Sequence, residues 1–163
     1  MAISGIEAAQ PERRASRLLE FSATFLVTLW AGSLWTVCGI VAPQLFATLP
    51  ERRLAGQMAA RLFHIETWLG VVIAILLIAI FAARGAFAAG RAFAAGRAKT
   101  ILWLILLTAA APLSSELILG PMMNAAREAN DMARFGMLHG VSAVLFLIAC
   151  LSALALMWKA RQQ

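Results

Sequence analysis

Residues 63–83 read FHIETWLGVVIAILLIAIFAA, and this stretch decides the fold of the chain. It contains no charged residue after Glu66, and it matches the roughly 20 mostly apolar residues that an α-helix needs to cross a hydrocarbon core of about 30 Å. Three more runs of this kind lie at about residues 17–42, 100–120 and 135–158. The sequence therefore predicts an all-α fold in which four transmembrane helices form a bundle.

The composition excludes an ordinary soluble domain. Hydrophobic residues make up 62% of the chain, charged residues 13%, and the mean hydropathy is +0.82, whereas soluble domains carry about a quarter of charged residues. The net charge of +6 comes from basic residues that lie between and beyond the apolar runs. Such placement is typical of topology signals and head-group contacts, so we expect the lipid bilayer, and not nucleic acid, as the partner.

The distribution of Lys and Arg predicts the orientation of the chain, because these residues favour cytoplasmic loops. Nine of them lie in the two tails, at Arg17 where the first run begins, and in the connector between the second and third runs, and five lie on the opposite side. We therefore expect a multi-pass protein of a bacterial-type inner membrane with both termini cytoplasmic. Residues 1–16 and 159–163 form the tails, and the first tail is expected to be loosely ordered.

The segments between the runs carry local helix signals. We expect the first span to end at Pro43 and residues 121–134 to form a polar linker. The stretch Thr48-Leu49-Pro50-Glu51 has the pattern of a capping box, and it predicts a short amphipathic interfacial helix between the first and second spans. Pro112 predicts a kink in the third span. Residues 86–97 contain AFAAGR twice and are expected to form a connector.

Small residues recur at helical spacing in the first and fourth runs. Stripes of this kind let neighbouring transmembrane helices approach closely, so we expect them to pack helices together. Cys38 and Cys150 also fall inside predicted spans, where they cannot form an extracellular disulfide framework. We interpret them as small packing residues, with a ligand role as the alternative. The residues of the stripes are Thr28, Gly32, Thr36, Gly136 and Gly140.

Ionisable side chains collect at one end of the predicted bundle. Glu116 lies deep in an apolar run, where such groups are costly and mark candidate functional sites. His64, Glu66 and His139 fall near the same, extracytoplasmic ends of their spans. Such a cluster could hold a metal, a haem or a proton relay, or it could simply satisfy backbone and loop groups. His64 and Glu66 are two residues apart, so their side chains point to roughly opposite sides of a helix.

Methionines lie on the same side of the membrane and widen the possible ligand set. Met122 and Met123 are among five of them there, and thioether together with imidazole suits Cu(I). Methionine is also a common apolar filler. No CxxC, HExxH, nucleophile elbow or Gly-rich phosphate loop is present in the sequence, so a conventional soluble-type active site is not expected.

Several short motifs together resemble a known family. Leu29-Trp30-Ala31-Gly32 is followed by VAPQLFATL at residues 41–49, by Ala55-Gly56, by Arg61-Leu62-Phe63 and, late in the chain, by Leu138-His139-Gly140. Over residues 20–158 this pattern resembles the DUF4149 (TMEM205-like) family of four-helix membrane proteins. The resemblance implies the architecture and no particular activity. In layout the chain is also distantly similar to CopD-type copper and HemJ-type haem membrane proteins, which use intramembrane histidines.

These observations leave three functional hypotheses. The first is a non-enzymatic membrane protein whose polar cluster binds a small ligand or metal, or mediates assembly as a homo-oligomer or with another membrane protein. The second is a haem- or metal-dependent membrane oxidoreductase that uses His64 and His139, with haem or copper as the cofactor. The third is a small proton-coupled transporter component that depends on Glu116.

Overall fold

The computed structural model describes residues 4–87 and 95–160, and every regular element in these ranges is helical. Four stretches within them are long and apolar enough to cross a membrane, which confirms the predicted all-α fold with four spans. The elements are α1 (Ser4–Thr36), a first π-helical segment (Val37–Val41), α2 (Ala42–Thr48), α3 (Arg52–Phe87), α4 (Ala95–Ser114), a second π-helical segment (Ser115–Leu119), α5 (Gly120–Glu128) and α6 (Met132–Ala160).

The four spans are longer than a bilayer core requires. They cover Arg13–Thr48, Arg52–Arg84, Ala98–Glu128 and Met132–Ala160, and the shortest contains 29 residues. At about 1.5 Å per residue even this span exceeds a hydrocarbon core of about 30 Å. The ends of the spans therefore extend into the head-group regions, and the chain is a multi-pass membrane protein in contact with lipid.

The spans follow one another around a ring in chain order. The first span packs on the second and the fourth, and the third span likewise packs on the second and the fourth. The first and third spans therefore stand diagonally opposite each other, as do the second and fourth. The hydropathy pattern does not contain this order, because lipid-exposed and buried helix faces are both apolar.

The core fits large side chains of one span against small residues of the next. Trp30 is 1% exposed, and a Cβ added at Gly70 would stand 2.9 Å from its Nε1 atom. The rings of Phe63 and Phe146 meet edge to face with centroids 4.6 Å apart, which joins the second and fourth spans across the centre. Because lipid tails are as apolar as these side chains, close packing and not apolar burial favours association of the spans.

The predicted small-residue stripes face outward, contrary to expectation. Large side chains such as Trp30 and Leu34 are buried and occupy the inner face of the first span, so the small residues lie on the opposite face. A Cβ added at any glycine of the stripes would meet nothing within 4 Å. Within the described chain, therefore, no other span packs closely against these glycines. The exposed residues are Thr28, Gly32, Thr36, Gly136 and Gly140.

Pro43, which was expected to end the first span, and Pro121, the first residue of the expected polar linker, both lie within helices. The first span does not end at Pro43 but continues to Thr48, and the expected polar linker at 121–134 is helical as far as Glu128. A proline lacks the N–H group for the α-helical bond and its ring crowds the carbonyl four residues earlier. Each of these prolines follows a π-helical segment, in which a backbone N–H donates a hydrogen bond to the carbonyl five residues earlier and so closes a wider turn. The helix therefore continues beyond the proline.

The connections at the end of the bundle that carries these prolines are short. Residues 49–51 link the first two spans and residues 129–131 link the last two, with Asn130 at a φ of 55°. The capping-box expectation is wrong, because the Thr48 hydroxyl donates to the Gln44 carbonyl (2.7 Å) and belongs to the end of α2. We call this the short-loop end.

Three further expectations concern the chain outside the core. The amphipathic segment is helical, but it forms the first turns of α3 and is continuous with the second span. The N-terminal tail is helical from Ser4, where loose order was expected. Most of the duplicated connector at 86–97 lies outside the described residues.

Candidate functional site

His64 and Glu116 form a direct contact between the second and third spans. Nδ1 of His64 lies 2.7 Å from Oε1 of Glu116, and the two side chains are 55% and 34% exposed. His64 lies on α3, and Glu116 is the second residue of the second π-helical segment. The two residues that were predicted to share one end of the bundle are thus joined by a hydrogen bond.

The π-helical segment positions Glu116 from two sides. The hydroxyls of Ser115 and Ser142 lie 2.6 Å apart, so the residue before Glu116 is attached to the fourth span while Glu116 itself contacts the second. Pro112 and Pro121 bracket the segment. π-helical turns are often found at functional sites. Sequence reasoning did not identify the two serines, because serine is common in membrane helices and their spacing carries no signal.

The surroundings of the pair are open and largely apolar, and the exposed Arg61 stands about one helical turn before His64. The Trp68 ring stands 6.4 Å from the His64 ring in an edge arrangement. The neighbouring Ile65, Leu117 and Ile118 are exposed. The pair therefore provides hydrogen-bonding groups beside exposed apolar side chains. When the imidazole is neutral and Nδ1–H donates to Glu116, its Nε2 remains an acceptor; when it is protonated, both nitrogens donate.

Glu66 belongs to a different place in the bundle. It is 4% exposed, and the Ser33 hydroxyl lies 2.7 Å from its Oε1 atom and 3.0 Å from the Trp30 carbonyl oxygen. This contact joins the first and second spans inside the core, whereas His64 is exposed on the outer side of the same helix. The two side chains therefore do not face a common ligand.

His139 is also separate from the pair. It is exposed and stacks on Phe135, with ring centroids 6.0 Å apart, and the Arg127 guanidinium lies 4.6 Å from the centre of the Phe135 ring. His64 and His139 lie on spans that stand diagonally opposite in the ring, and within residues 4–87 and 95–160 no hydrogen bond or ring contact joins them. The geometry gives no support to a haem held between these two histidines.

The histidines, cysteines and carboxylates of the described chain do not form a metal site. Met122 is exposed and Met123 half-buried. Within the described part of the chain, no three His, Cys, Asp or Glu side chains are close enough to hold a metal ion. The predicted histidines and glutamates therefore lie in three places, and only His64 and Glu116 share one of them.

Comparison with known proteins gives one finding. The profile of a family described as "Domain of unknown function (DUF4149)" matches residues 25–131, which is more than half of the chain. The matched region contains His64, Glu66 and Glu116 but ends before His139. No curated protein and no solved structure matches significantly.

Proposed function

Since this chain belongs to the DUF4149 family, whose name records no activity, we propose from its geometry that it binds a small amphiphile at the His64–Glu116 pair. The observation that carries the proposal is the 2.7 Å contact between these side chains on an exposed surface. Ionisable groups in a membrane span are costly and mark functional sites by default. A pair that remains open to the bilayer provides polar groups to a molecule that arrives from the lipid.

The charge of the pair limits the class of ligand. With two exchangeable protons the imidazole and the carboxyl group carry no net charge, and with one they carry a single negative charge. The pair itself would therefore leave an anionic head group uncompensated, which is unfavourable in an apolar setting. We infer a head group that is neutral and forms hydrogen bonds, such as a hydroxyl or a carbonyl. The apolar part of the ligand would lie against the exposed side chains of Trp68 and Leu117.

We place the site on the extracytoplasmic side of a bacterial-type inner membrane. The support for this orientation is the excess of Lys and Arg in the tails and in the connector between the second and third spans. Both tails would then be cytoplasmic, and the short-loop end with the His64–Glu116 pair would face outward.

A matched set of probes tests the proposal. A long-chain alcohol, the alkane of the same length and the corresponding fatty acid are added to detergent-purified protein, and thermal unfolding is measured. The alcohol should raise the midpoint of the wild-type protein by mass action, and the alkane should not. His64→Ala and Glu116→Gln should remove the response, whereas His139→Ala should keep it. An equal response in all four proteins would refute binding at the pair.

A second candidate, a proton-coupled transport component, is favoured by the same contact. A histidine and a carboxylate within hydrogen-bond distance can exchange a proton with a substrate. Proton uptake into proteoliposomes measures this activity, and Glu116→Gln should abolish it. Uptake that is unchanged in Glu116→Gln would exclude the candidate.

A further inference from the structure

A cavity of about 100 Å³ lies between the first and second spans and also touches Ala160, the last residue of α6. Its lining residues lie toward the end of the bundle at which the spans meet the two tails and the connector, and we call this the connector end. About 10–15 Å³ is enough for a single water molecule. The cavity therefore has room for a larger polar group, and it is separate from the His64–Glu116 pair.

An ion pair forms part of the cavity wall. Nη2 of Arg84 lies 3.1 Å from Oε1 of Glu20, and the guanidinium carbon stands 5.9 Å from the centre of the Phe81 ring. The side chain of Arg84 is 20% exposed and that of Glu20 is 53% exposed. The carboxylate and the ring thus hold the guanidinium against the cavity, and the carboxylate is the more exposed member of the pair.

The lining of the cavity becomes apolar with depth in the bilayer. Val27 stands seven residues after Glu20 on the first span, which places it about 10 Å deeper. Ala23, between the two, is buried, and so is Val27. The second span runs in the opposite direction, so Phe81 lies deeper than Arg84. A charged outer part above an apolar inner part is the order of polarity in a phospholipid of the same leaflet.

Helix length places the ion pair at the level of the head groups. His64 and Arg84 are 20 residues apart on α3, and at about 1.5 Å per residue this distance matches a hydrocarbon core of about 30 Å. The two pairs can therefore both lie at a membrane boundary, one in each leaflet. Trp158 supports this level, because it is exposed close to Ala160 and tryptophan is enriched at membrane interfaces.

The net charge of the chain is concentrated at the connector end. Nine Lys and Arg stand nearer to this end in the sequence, against three acidic residues, Glu7, Glu12 and Glu20. Toward the short-loop end, five basic residues are balanced by five acidic ones. The whole formal charge of +6 therefore surrounds the cavity's end of the bundle, where it attracts anionic lipid head groups.

We propose that this cavity binds the phosphate head group of an anionic phospholipid, whose acyl chains continue past the apolar wall toward the bilayer centre. Guanidinium forms charge-assisted hydrogen bonds to phosphate, and its five N–H donors make a contact with Glu20 compatible with a contact to phosphate. The neighbouring carboxylate opposes the bound anion, so Arg84 and Glu20 act on the affinity with opposite signs. This site takes a different class of ligand from the His64–Glu116 pair and does not depend on the function proposed there.

Native mass spectrometry of the full-length protein in a nonionic detergent measures the affinity. The probes are dioleoylphosphatidylglycerol, dioleoylphosphatidylcholine, which has the same chains and no net charge, and glycerol phosphate, which has no chains. One phosphatidylglycerol molecule should bind more tightly than any later one and several-fold more tightly than phosphatidylcholine, and glycerol phosphate should not bind. Equal affinity for the two lipids would overturn the proposal, and so would glycerol phosphate that binds as tightly as the lipid.

Three variants locate the site. Arg84→Gln should weaken the binding of the first phosphatidylglycerol about tenfold, as expected for the loss of a hydrogen bond to a charged group. Glu20→Gln should strengthen it several-fold, because it removes a negative charge beside the phosphate. Arg13→Gln is the matched control: Arg13 is exposed at the same end, but it stands about 10 Å before Glu20 along the helix, and charges at this distance are largely screened at 0.1 M salt. Its affinity should stay within about twofold of the wild type.

The opposite signs separate a lipid site from a purely structural ion pair. If the pair only joined the two spans, Arg84→Gln and Glu20→Gln would weaken lipid binding alike, and that result would overturn the proposal. Glu20→Gln keeps the guanidinium in place, so it tests the proposal even where Arg84→Gln does not fold. An equal loss of affinity in Arg13→Gln and Arg84→Gln would show attraction by net charge alone and would also refute a site at the cavity.

Discussion

Gly70→Ala tests the packing of the first two spans. On an open helix surface, Gly→Ala stabilises by up to about 1 kcal/mol through helix propensity. At Gly70 the new Cβ would stand 2.9, 3.2 and 3.3 Å from three atoms of the Trp30 indole, which is 1% exposed. Overpacking of this kind costs about 1–3 kcal/mol. We therefore expect a net loss of stability of up to about 2 kcal/mol.

Gly32→Ala is the matched control, because the same methyl group would meet nothing within 4 Å there. We expect this variant to be unchanged or more stable than the wild type. The assay is reversible unfolding in mixed detergent, with the free energy of unfolding compared across both variants. Combining Gly70→Ala with Trp30→Phe should recover part of the loss, since the smaller ring leaves room for the methyl group. A Gly70→Ala protein as stable as Gly32→Ala would refute the contact.

Two more measurements address the core and the orientation. Ser33→Ala removes the hydrogen-bonding partner of the buried Glu66 side chain, so the free energy of unfolding in detergent should fall by about 1–3 kcal/mol. Adding Glu66→Leu to Ser33→Ala should recover part of this loss. An unchanged unfolding midpoint in Ser33→Ala would contradict the pairing. In a chain with Cys38→Ser and Cys150→Ser, the cysteine introduced by Ala129→Cys should react with an impermeant maleimide added outside the intact inner membrane. Reaction only after permeabilisation would show that the orientation is the opposite one.

The four spans, and the common end at which His64 and Glu116 lie, were within reach of the sequence. Four long apolar runs leave few alternatives in a bilayer, because a spanning helix must satisfy its backbone internally. Topology then places residues near matching span ends at the same level. That reasoning brought His64 and Glu116 to one end, where they form a contact. It also grouped His139 and Glu66 with them, because level alone does not tell which way a side chain faces.

The direction of each helix face was not predictable for a physical reason. In water the buried side of a helix is the apolar one, but in lipid both sides are apolar and the periodicity loses its meaning. The glycine and threonine stripe of the first span was therefore assigned to the inner face, which Trp30 and Leu34 occupy. The expectation that the first span ends at Pro43 was wrong for a different reason. The rule that a proline ends a helix assumes that an α-helix precedes it, whereas a π-helical segment precedes Pro43.

The second π-helical segment also sets the phase between the two halves of the third span. Relative to an α-helix it holds one extra residue, and removing one residue would turn everything beyond it by about 100°. A related sequence that lacks the residue at 115 would keep both neighbouring spans and loops, yet its acidic side chain would point away from His64. A one-position alignment gap just before this glutamate therefore distinguishes relatives that have lost the pair from those that retain it.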